Sequence, residues 1–387
     1  MATSISWKVT KPLRDMRNRL CKKYGTTSVI LDDFFPNILT GFRVAEYNYY
    51  LERFPNLQIF SAVPEFDSIL AEYLKIYPKF HDRIKPFNKD SLEDKNFAYI
   101  NFLNNAYYFL PELSRKNISF IMTLYPGGGF GLNDPDSDEK LKKVLLSPLL
   151  RGIICTQKIT FEYLHDKGVN VPVHFIYGVA INPIYFVQDV IPTRTTNINS
   201  LRICFAAACY MPEGKNKGYP EFIDAAEQLI TLYPTLRFSV AGGFSPESYP
   251  MTSKLRSVTS FLGYLQTADL KNFFLSQDII VSPNRPFLLH NGNFDGFPTA
   301  TCIEASLCGV AMVCSDELNM NQYYKDREEI VICNPTPTDI INKVSLLVNN
   351  RKLLQSIAKN GHIVSQRLFN PSYQLAKRAE ILNKQFS

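Results

Sequence analysis

Residues 291–315, NGNFDGFPTATCIEASLCGVAMVCS, predict a loop, a helix and a buried strand in that order. Gly296 permits a positive φ, and Pro298 suits the first turn of a helix because its missing N–H costs nothing there. After the helix, the apolar run at residues 310–314 has the length of a strand. Together with a second apolar run at residues 278–282, this stretch predicts a βαβ unit.

The loop of this unit follows the carboxyl end of a parallel strand, where open α/β sheets bind ligands. The free N–H groups at the start of the next helix form an anion site. Glu304 lies about two turns into that helix. An ordinary βαβ turn with a helix-capping acid is the alternative interpretation.

This arrangement resembles the donor site of retaining nucleotide-sugar glycosyltransferases of the GT-B fold, the family 4-like "group 1" transferases. The matching pieces are Ser282-Pro283, Asp295-Gly296-Phe297-Pro298-Thr299, Glu304-Ala305 and Cys308-Gly309. The resemblance implies that Glu304 holds the ribose hydroxyls, that the loop amides hold the diphosphate and that Asp295 contacts the donor sugar. The family usually has Glu where Asp295 stands, and the spacing to Glu304 is one residue longer here.

Composition places the chain among large globular proteins. Its 387 residues are 45% hydrophobic, which suits two or three domains with large cores. It has no long apolar run and no apolar signal core near its N-terminus, so we expect a cytoplasmic protein. The eight cysteines form no CxxC pair, which predicts buried thiols in a reducing compartment. Aromatic residues are not interleaved with basic ones, so we expect no nucleic-acid binding.

Residues 8–23 carry seven basic residues and one acidic residue, a local charge of 7 − 1 = +6. Leu13, Met16 and Leu20 recur there at helical spacing. A basic amphipathic helix of this kind can lie on an anionic membrane surface and give peripheral membrane contact. A solvated helix whose narrow apolar stripe packs on the protein is the interpretation that we favour.

Apolar runs of strand length alternate with helix-length segments along both halves, which predicts βαβ units and parallel sheets. Strands are predicted at residues 28–31, 57–62, 97–102, 118–124, 152–156, 173–178, 201–207, 236–241, 258–262, 278–282, 310–314 and 330–333. The expected fold class is therefore α/β, and the resemblance implies two Rossmann-like domains facing across a cleft, as in GT-B enzymes. Residues 1–190 would form the acceptor-side domain and residues 200–365 the donor-side domain. Residues 366–387 would form a helical segment that returns to the first domain.

The loop after the first strand of the second half contains Lys215 and the pair Lys217-Gly218. In the family, a Lys before Gly in this loop binds the donor diphosphate, and the resemblance implies that role for Lys217. The family's Arg is absent here, and Lys215 is the candidate substitute, although its ammonium lacks the bidentate guanidinium fork. A solvated basic loop is the alternative. Gly242 matches a strand-end glycine that lies near the nucleotide in the family.

Gly41 and Arg43 lie at a predicted helix start after the first strand. The resemblance places a glycine beside the diphosphate and acceptor here, and Arg43 is a candidate phosphate partner. A plain helix cap is the alternative.

Tyr125 stands where many relatives carry a His that touches the donor sugar. The following glycines, Gly127, Gly128 and Gly129, predict a ligand-facing loop. His290 precedes the loop at residues 295–299, which we call the donor loop, and is the histidine that we expect nearest to a ligand.

Asp134, Asp136 and Asp138 alternate as in a metal-binding DxD motif. Glu139, however, stands where an EF-hand needs Gly, and Asp138 is placed to cap a helix. No histidines have the spacing of a ligand pair. We therefore expect no metal, and no cofactor beyond a nucleotide-sugar co-substrate.

The sequence thus predicts a metal-independent, retaining glycosyltransferase of the hexosyltransferase type. It would move a sugar from a nucleoside-diphosphate sugar to a hydroxyl of a glycan or lipid-linked acceptor, in surface polysaccharide or glycoconjugate synthesis. The expected catalytic residues are Asp295, Glu304 and Lys217; the donor-binding residues are Gly41, Arg43, Lys215, Gly242, Gly296, Phe297, Pro298 and Thr299; the acceptor or sugar side has Tyr125, Gly127, Gly128, Gly129 and His290. A GT-B-like nucleotide-sugar epimerase or hydrolase, and a catalytically weak nucleotide-sugar-binding protein, are the alternatives.

Overall fold

The computed structural model describes residues 28–186 and 200–386. The predicted basic helix at residues 8–23 lies outside these ranges, as do residues 187–199. Within them the chain forms two α/β domains, each built on one parallel sheet.

The first domain contains a sheet of seven parallel strands within residues 28–186, in the order β3-β2-β1-β4-β5-β6-β7. The strands are β1 Ser28–Asp32, β2 Gln58–Ser61, β3 Ile84–Pro86, β4 Phe97–Asn101, β5 Ser119–Leu124, β6 Leu150–Cys155 and β7 Val173–Phe175. The helices are α1 Gly41–Arg53, α2 Phe66–Ile76, α3 Leu103–Lys116, α4 Pro135–Leu145 and α5 Lys158–Asp166. The sequence did not predict β3, because it is a three-residue edge strand with two exposed residues and so has no apolar run.

The second domain contains a sheet of six parallel strands within residues 200–386, in the order β10-β9-β8-β11-β12-β13. The strands are β8 Arg202–Ala207, β9 Arg237–Gly242, β10 Thr259–Phe261, β11 Ile279–Ser282, β12 Ala311–Ser315 and β13 Val331–Cys333. The helices are α6 Tyr219–Leu232, α7 Ser253–Arg256, α8 Thr267–Leu275, α9 Ala300–Leu307, α10 Pro337–Asn349, α11 Arg351–Phe369 and α12 Pro371–Phe386.

The central strands explain why this topology forms. All residues of β1 and β12 are buried, as expected for parallel strands that helices cover on both faces. The strand order reverses between β1 and β4 in the first sheet and between β8 and β11 in the second. Doubly wound sheets bind ligands at such reversal points, outside the carboxyl ends of the strands.

The C-terminal helices connect the two domains. Helix α11 packs on α9 and β12 of the second domain, whereas α12 packs on α1 and β4 of the first. The segment on the first domain begins at Pro371, after a break at Asn370, so it starts later than the predicted residue 366. In α12, the fully buried Arg378 places its Nη1 atom 3.3 Å from Oε1 of Glu46 in α1.

Candidate functional site

A cleft that is open to solvent lies between the carboxyl edges of the two sheets. The first-domain wall comes from the segments that follow β1, β4, β5, β6 and β7. The second-domain wall comes from the loops after β8, β9, β10 and β11 and from the start of helix α9. Both strand-order reversals therefore open on one cleft.

The N-terminus of α9 faces this cleft. Pro298, Thr299 and Ala300 line it, and the helix begins at Ala300, so Pro298 precedes the N-cap residue Thr299 and lies outside the predicted first turn. The side chain of Thr299 makes no capping hydrogen bond with the helix. The first N–H groups of an α-helix have no partner within the helix, so this N-terminus suits an anion.

The donor loop also differs from prediction at Gly296 and Phe297. Gly296 does not have a positive φ; instead, a Cβ there would lie 2.9 Å from Nε2 of Gln157, so close packing calls for glycine. Phe297 is buried and absent from the cleft surface, and its carbonyl accepts a 2.7 Å hydrogen bond from the Tyr177 hydroxyl. Gly296 therefore lines the cleft, whereas Phe297 anchors the loop.

Glu304 lines the cleft despite the extra residue in its spacing from Asp295. Its side chain is largely buried, and this burial raises the pKa of the carboxyl to about 8. A Cβ at Gly41 would lie 3.6 Å from Oε1 of Glu304. The start of α1 in the first domain and the predicted ribose-binding acid in the second domain thus meet across the cleft.

Lys217 and Asp295 form an ion pair on the second-domain wall. The Nζ atom of Lys217 lies 2.7 Å from both carboxylate oxygens of Asp295, and both residues line the cleft. The ammonium also lies 5.3 Å from the ring centroid of Tyr210. Gly218 has φ 68°, and a Cβ there would clash with the carbonyl oxygen of Pro283, which accounts for the Lys-Gly pair.

The two remaining donor-side residues differ in position. Lys215 pairs with Glu213 at 2.8 Å, is half exposed and does not line the cleft, so the structure does not bring it to the site. Gly242 lines the cleft with φ 113°, and a Cβ there would clash with the carbonyl oxygen of Ala207 in β8. That glycine is required by packing between neighbouring strands.

Arg43 lines the cleft, but partners within the first domain match its charge. Its Nε atom lies 3.3 Å from Oδ2 of Asp32, and its Nη2 atom lies 3.3 Å from Oδ1 of Asp33. Its guanidinium carbon lies 4.7 Å from the ring centroid of Phe102. A phosphate would therefore have to compete with two carboxylates for this side chain.

The hydroxyl of Tyr125 points into a buried network. It donates to Oε2 of Glu46 at 2.9 Å and accepts from Nη1 of Arg378 at 2.6 Å. Burial raises the pKa of Tyr125 well above its usual range. The residue lines the cleft, and its ring lies 5.3 Å from the ring of Phe42, but its hydroxyl is already engaged.

The three glycines after Tyr125 all have positive φ. Gly127 and Gly128 line the cleft, and Gly129 does not. A Cβ at Gly128 would clash with the Phe102 ring, and one at Gly129 would clash with the Asn104 side chain. These two glycines therefore allow the loop to pack closely on the start of α3, rather than giving a ligand access along the whole loop.

The loop that contains His290 contacts the first domain directly. His290 itself lines the cleft and is exposed. The backbone N–H of Leu132 donates a 2.9 Å hydrogen bond to the carbonyl of Gly292. A Cβ at Gly131 would lie 2.9 Å from the carbonyl oxygen of Asn291, and one at Gly292 would clash with the carbonyl oxygen of Leu132. Both glycines thus permit main chain to meet main chain between the domains.

The DxD-like segment serves the structure of α4. Asp134, not Asp138, caps this helix by accepting a 2.9 Å hydrogen bond from the N–H of Ser137. Asp138 accepts from the Tyr163 hydroxyl and pairs with Lys167 at 2.7 Å. Within residues 28–186 and 200–386, no group of three or more His, Cys, Asp or Glu side chains is placed to hold a metal ion.

Among the polar residues of the cleft that sequence reasoning missed are Thr156, Gln157 and Asn216. Thr156 and Gln157 come directly after β6, and Asn216 immediately precedes Lys217. All three are buried. The signal that was available for the first two is their place at the carboxyl end of a predicted strand.

Comparisons with known proteins agree with this geometry. Residues 213–363 match the family described as "Glycosyl transferases group 1". Among curated proteins, no sequence matches the chain. In the part of the chain that the structure describes, no helix is long and apolar enough to cross a membrane.

Solved structures of similar architecture cover nearly the whole chain. HepE from Anabaena, solved in complex with UDP, superposes with a TM-score of 0.69 at 14% identity, covering 92% of this chain and 100% of that one. A glycosyltransferase from Rickettsia africae gives 0.67 at 13% identity, covering 93% and 99%. Sucrose-phosphate synthase from Thermosynechococcus elongatus gives 0.64 at 12% identity, also covering 93% and 99%. At such identities the likeness is one of fold, and the predicted GT-B fold is confirmed.

Proposed function

We propose that this GT-B chain, whose second half is a group 1 glycosyl transferase domain, moves a sugar from a nucleoside-diphosphate sugar to an acceptor hydroxyl. One observation carries the proposal: Lys217, the uncapped N-terminus of α9 and Glu304 line the same interdomain cleft. A cation, free N–H groups and a carboxyl are the groups that a diphosphate and a ribose diol require.

In the proposed reaction, the bond between the anomeric carbon and the phosphate oxygen breaks, and negative charge builds up on the departing diphosphate. The N–H groups of α9 and the ammonium of Lys217 stabilise that charge in place, without a bound metal. Asp295 keeps the ammonium beside the donor loop at 2.7 Å, and the diphosphate shares this cation with it. Glu304 accepts hydrogen bonds from the ribose hydroxyls.

We further propose that transfer proceeds with retention at the anomeric carbon. The acceptor oxygen then forms its bond on the face that the phosphate leaves, and the departing phosphate takes the hydroxyl proton. This route needs no side-chain base on the first-domain wall, in keeping with a Tyr125 hydroxyl that is already engaged by Glu46 and Arg378.

The proposed acceptor is a hydroxyl of a glycan or lipid-linked intermediate in surface polysaccharide or glycoconjugate synthesis. The buried thiols of Cys155, Cys204 and Cys302 suit a reducing compartment such as the cytoplasm. Peripheral membrane contact through residues 8–23 remains the alternative to the solvated helix that we favour, and it rests on the basic residues of that segment.

Binding of nucleotides is the first test. Thermal shift and calorimetry with UDP, GDP, ADP and dTDP, and with their hexose conjugates, should identify one base that binds. HepE has also been solved in complex with UDP-glucose, so the uridine nucleotides come first. Failure of the wild-type protein to bind any of them would contradict the proposal.

Glu304→Ala then tests the site. We expect at least about a 100-fold loss of sugar transfer, because hydrogen bonds from the donor to a charged group are removed. Glu380→Ala changes an exposed acid of α12 and serves as the matched control, with activity unchanged. Full transfer by the Glu304 variant would overturn the site. Release of free sugar or an isomer without acceptor would indicate a hydrolase or epimerase, and binding without turnover would indicate a binding protein.

A further inference from the structure

Three buried side chains of the cleft each contain an oxygen that has no hydrogen-bond partner among the described residues. They are Oγ1 of Thr156, Oε1 of Gln157 and Oδ1 of Asn216. The exposed fractions of these residues are 1%, 2% and 3%, respectively. Buried polar atoms are normally hydrogen-bonded, because burying one without a partner destabilises the fold by its full desolvation penalty.

Burial without a partner does not by itself define a site, because Oγ1 of Thr160 and Oε1 of Gln277 are in the same condition away from the cleft. The difference is convergence: Thr156, Gln157 and Asn216 line one cavity that is large enough for a ligand. Amide oxygens only accept hydrogen bonds, so the ligand that satisfies them must donate. Sugar hydroxyls and the N–H groups of a nucleobase donate, whereas an ionised diphosphate and a hydrocarbon chain do not.

The positions of these residues indicate which part of a ligand they face. Gln157 lies against the donor loop, with Nε2 2.9 Å from where a Cβ of Gly296 would stand. Gly296 adjoins Asp295, which pairs with Lys217, and Asn216 is the residue before that lysine. The unpartnered oxygens therefore lie on residues from both walls, beside the ion pair assigned above to the diphosphate.

We propose that Thr156, Gln157 and Asn216 form a hydroxyl-binding subsite that recognises the sugar of the donor. This inference rests on the proposed function and adds the residues that select the transferred sugar. A site built to hydrogen-bond a hydroxyl discriminates strongly against an analogue that lacks it, because its own buried groups are then left unpaired. Thr156 and Gln157 therefore act as specificity-determining residues, contributed by the first domain.

The test compares two ligands in each variant: the best-binding nucleoside diphosphate of the panel and its tightest-binding hexose conjugate, taken from glucose, galactose, mannose, rhamnose and N-acetylglucosamine. Gln157→Leu and Thr156→Val remove the unpartnered oxygens while nearly keeping the volumes. Gln277→Leu and Thr160→Val are the matched controls. Calorimetry gives both affinities, and the melting temperature checks that each variant folds.

We expect Gln157→Leu to weaken binding of the conjugate roughly tenfold while changing binding of the nucleoside diphosphate less than about twofold. Thr156→Val should weaken conjugate binding by about threefold to tenfold, and Thr156→Ser should restore it. With a donor that lacks the recognised hydroxyl, the effect of Gln157→Leu should disappear. The two control variants should leave both affinities unchanged.

Other outcomes would overturn the subsite in distinguishable ways. Equal weakening of both ligands by Gln157→Leu would mean that this residue contacts the nucleotide or shapes the donor loop, and does not recognise the transferred sugar. A raised KM for acceptor with unchanged donor affinity would assign the oxygens to the acceptor. No change in either affinity would mean that these oxygens recognise no part of the substrate. In each case the proposed function stands, whereas a wild-type protein that binds no nucleotide would remove both.

Discussion

The two walls of the cleft use polar side chains in opposite ways. On the second-domain wall, Lys217 and Asp295 meet at the cleft surface, and Glu304 has no ion-pair partner in the described residues. On the first-domain wall, two carboxylates of that domain form ion pairs with the guanidinium of Arg43, and the Tyr125 hydroxyl is held by Glu46 and Arg378. The second wall therefore presents an ion pair and a carboxyl to a ligand. The named groups of the first wall are instead engaged by partners inside the protein.

We therefore expect the charged groups of the second wall to recognise a ligand and the engaged groups of the first wall to stabilise the fold. A side chain held by buried partners, as Tyr125 is by Glu46 and Arg378, cannot turn to a ligand without leaving those partners unpaired. Substitutions of these engaged groups on the first wall should therefore affect stability more than activity, unlike those of Thr156 and Gln157. Substitutions on the second wall should do the reverse, and the predictions below test that division.

The largest effect is expected from Arg378→Met. The variant leaves Glu46 buried without its cation, and breaking a buried ion pair costs about 3–5 kcal/mol. We expect a loss of that size in the free energy of unfolding, measured with urea. Lys377→Met, at the exposed neighbouring position of α12, should change it by less than about 0.5 kcal/mol. Equal losses would mean that the ion pair does not support the first wall.

Lys217→Met should lower kcat about 100-fold or more, because the departing diphosphate loses a preorganised cation. The melting temperature should change little. Lys215→Met is the matched control: its ammonium pairs with Glu213 outside the cleft, so kcat should fall less than about threefold. Similar losses of kcat in the two variants would contradict the prediction that Lys217, and not Lys215, stabilises the departing diphosphate.

The affinity for nucleotide-sugar should depend on pH through Glu304. In the proposed site, ribose hydroxyls donate to its ionised carboxylate, whereas burial raises the pKa of Glu304 in the ligand-free protein to about 8. Affinity should therefore rise roughly tenfold per pH unit below that value and level off above it. Glu304→Gln should flatten this profile. A sugar conjugate is the suitable probe, because its diphosphate does not titrate near neutral pH.

The same shift has a consequence for stability in the absence of ligand. Burial raises the pKa of Glu304 from its ordinary 4.5 to about 8, so between those values the folded chain holds a proton that the unfolded chain has lost. The contribution of Glu304 to the free energy of unfolding therefore falls as pH rises through this window. The raised pKa of Glu304 would be contradicted if the free energy of unfolding fell with pH no more steeply in the wild type than in Glu304→Gln.

The smallest effect on activity is expected from Tyr125→Phe. The variant removes a hydroxyl that donates to Glu46 and accepts from Arg378, so the free energy of unfolding should fall by about 1–2 kcal/mol. The kcat of the folded enzyme should change less than about twofold, because the ring that lines the cleft remains. A loss of kcat of tenfold or more would show that the hydroxyl acts on the sugar after all.

Buried parallel strands were the most predictable part of the molecule. They form continuous apolar runs, and the predicted strands at the centres of both sheets are present, whereas the short exposed edge strand β3 left no such signal. Local motifs also placed Glu304, Lys217 and the start of α9 at one cleft. Each of these signals lies within a short stretch of chain.

Pairings between distant residues could not be predicted. Arg378 and Glu46 are 332 positions apart, and no local pattern indicates which buried polar groups will meet. The same reason explains the misplaced expectation for Asp138, which pairs with Lys167, 29 positions away, whereas Lys215 pairs with its near neighbour Glu213 outside the cleft. Glycines were also misread where close packing, rather than a positive φ, requires them, as at Gly296.

The main-chain hydrogen bond between Leu132 and Gly292 has a consequence for how this cleft can diversify. At that point two backbones touch, with no side chain between them that could be made longer or shorter. The distance between the domains beside the donor loop is therefore insensitive to most substitutions in the walls of the cleft. Variants can change what the cavity accepts while the gap itself keeps its width, so this enzyme should tolerate engineering of its substrate range as long as both glycines are left alone.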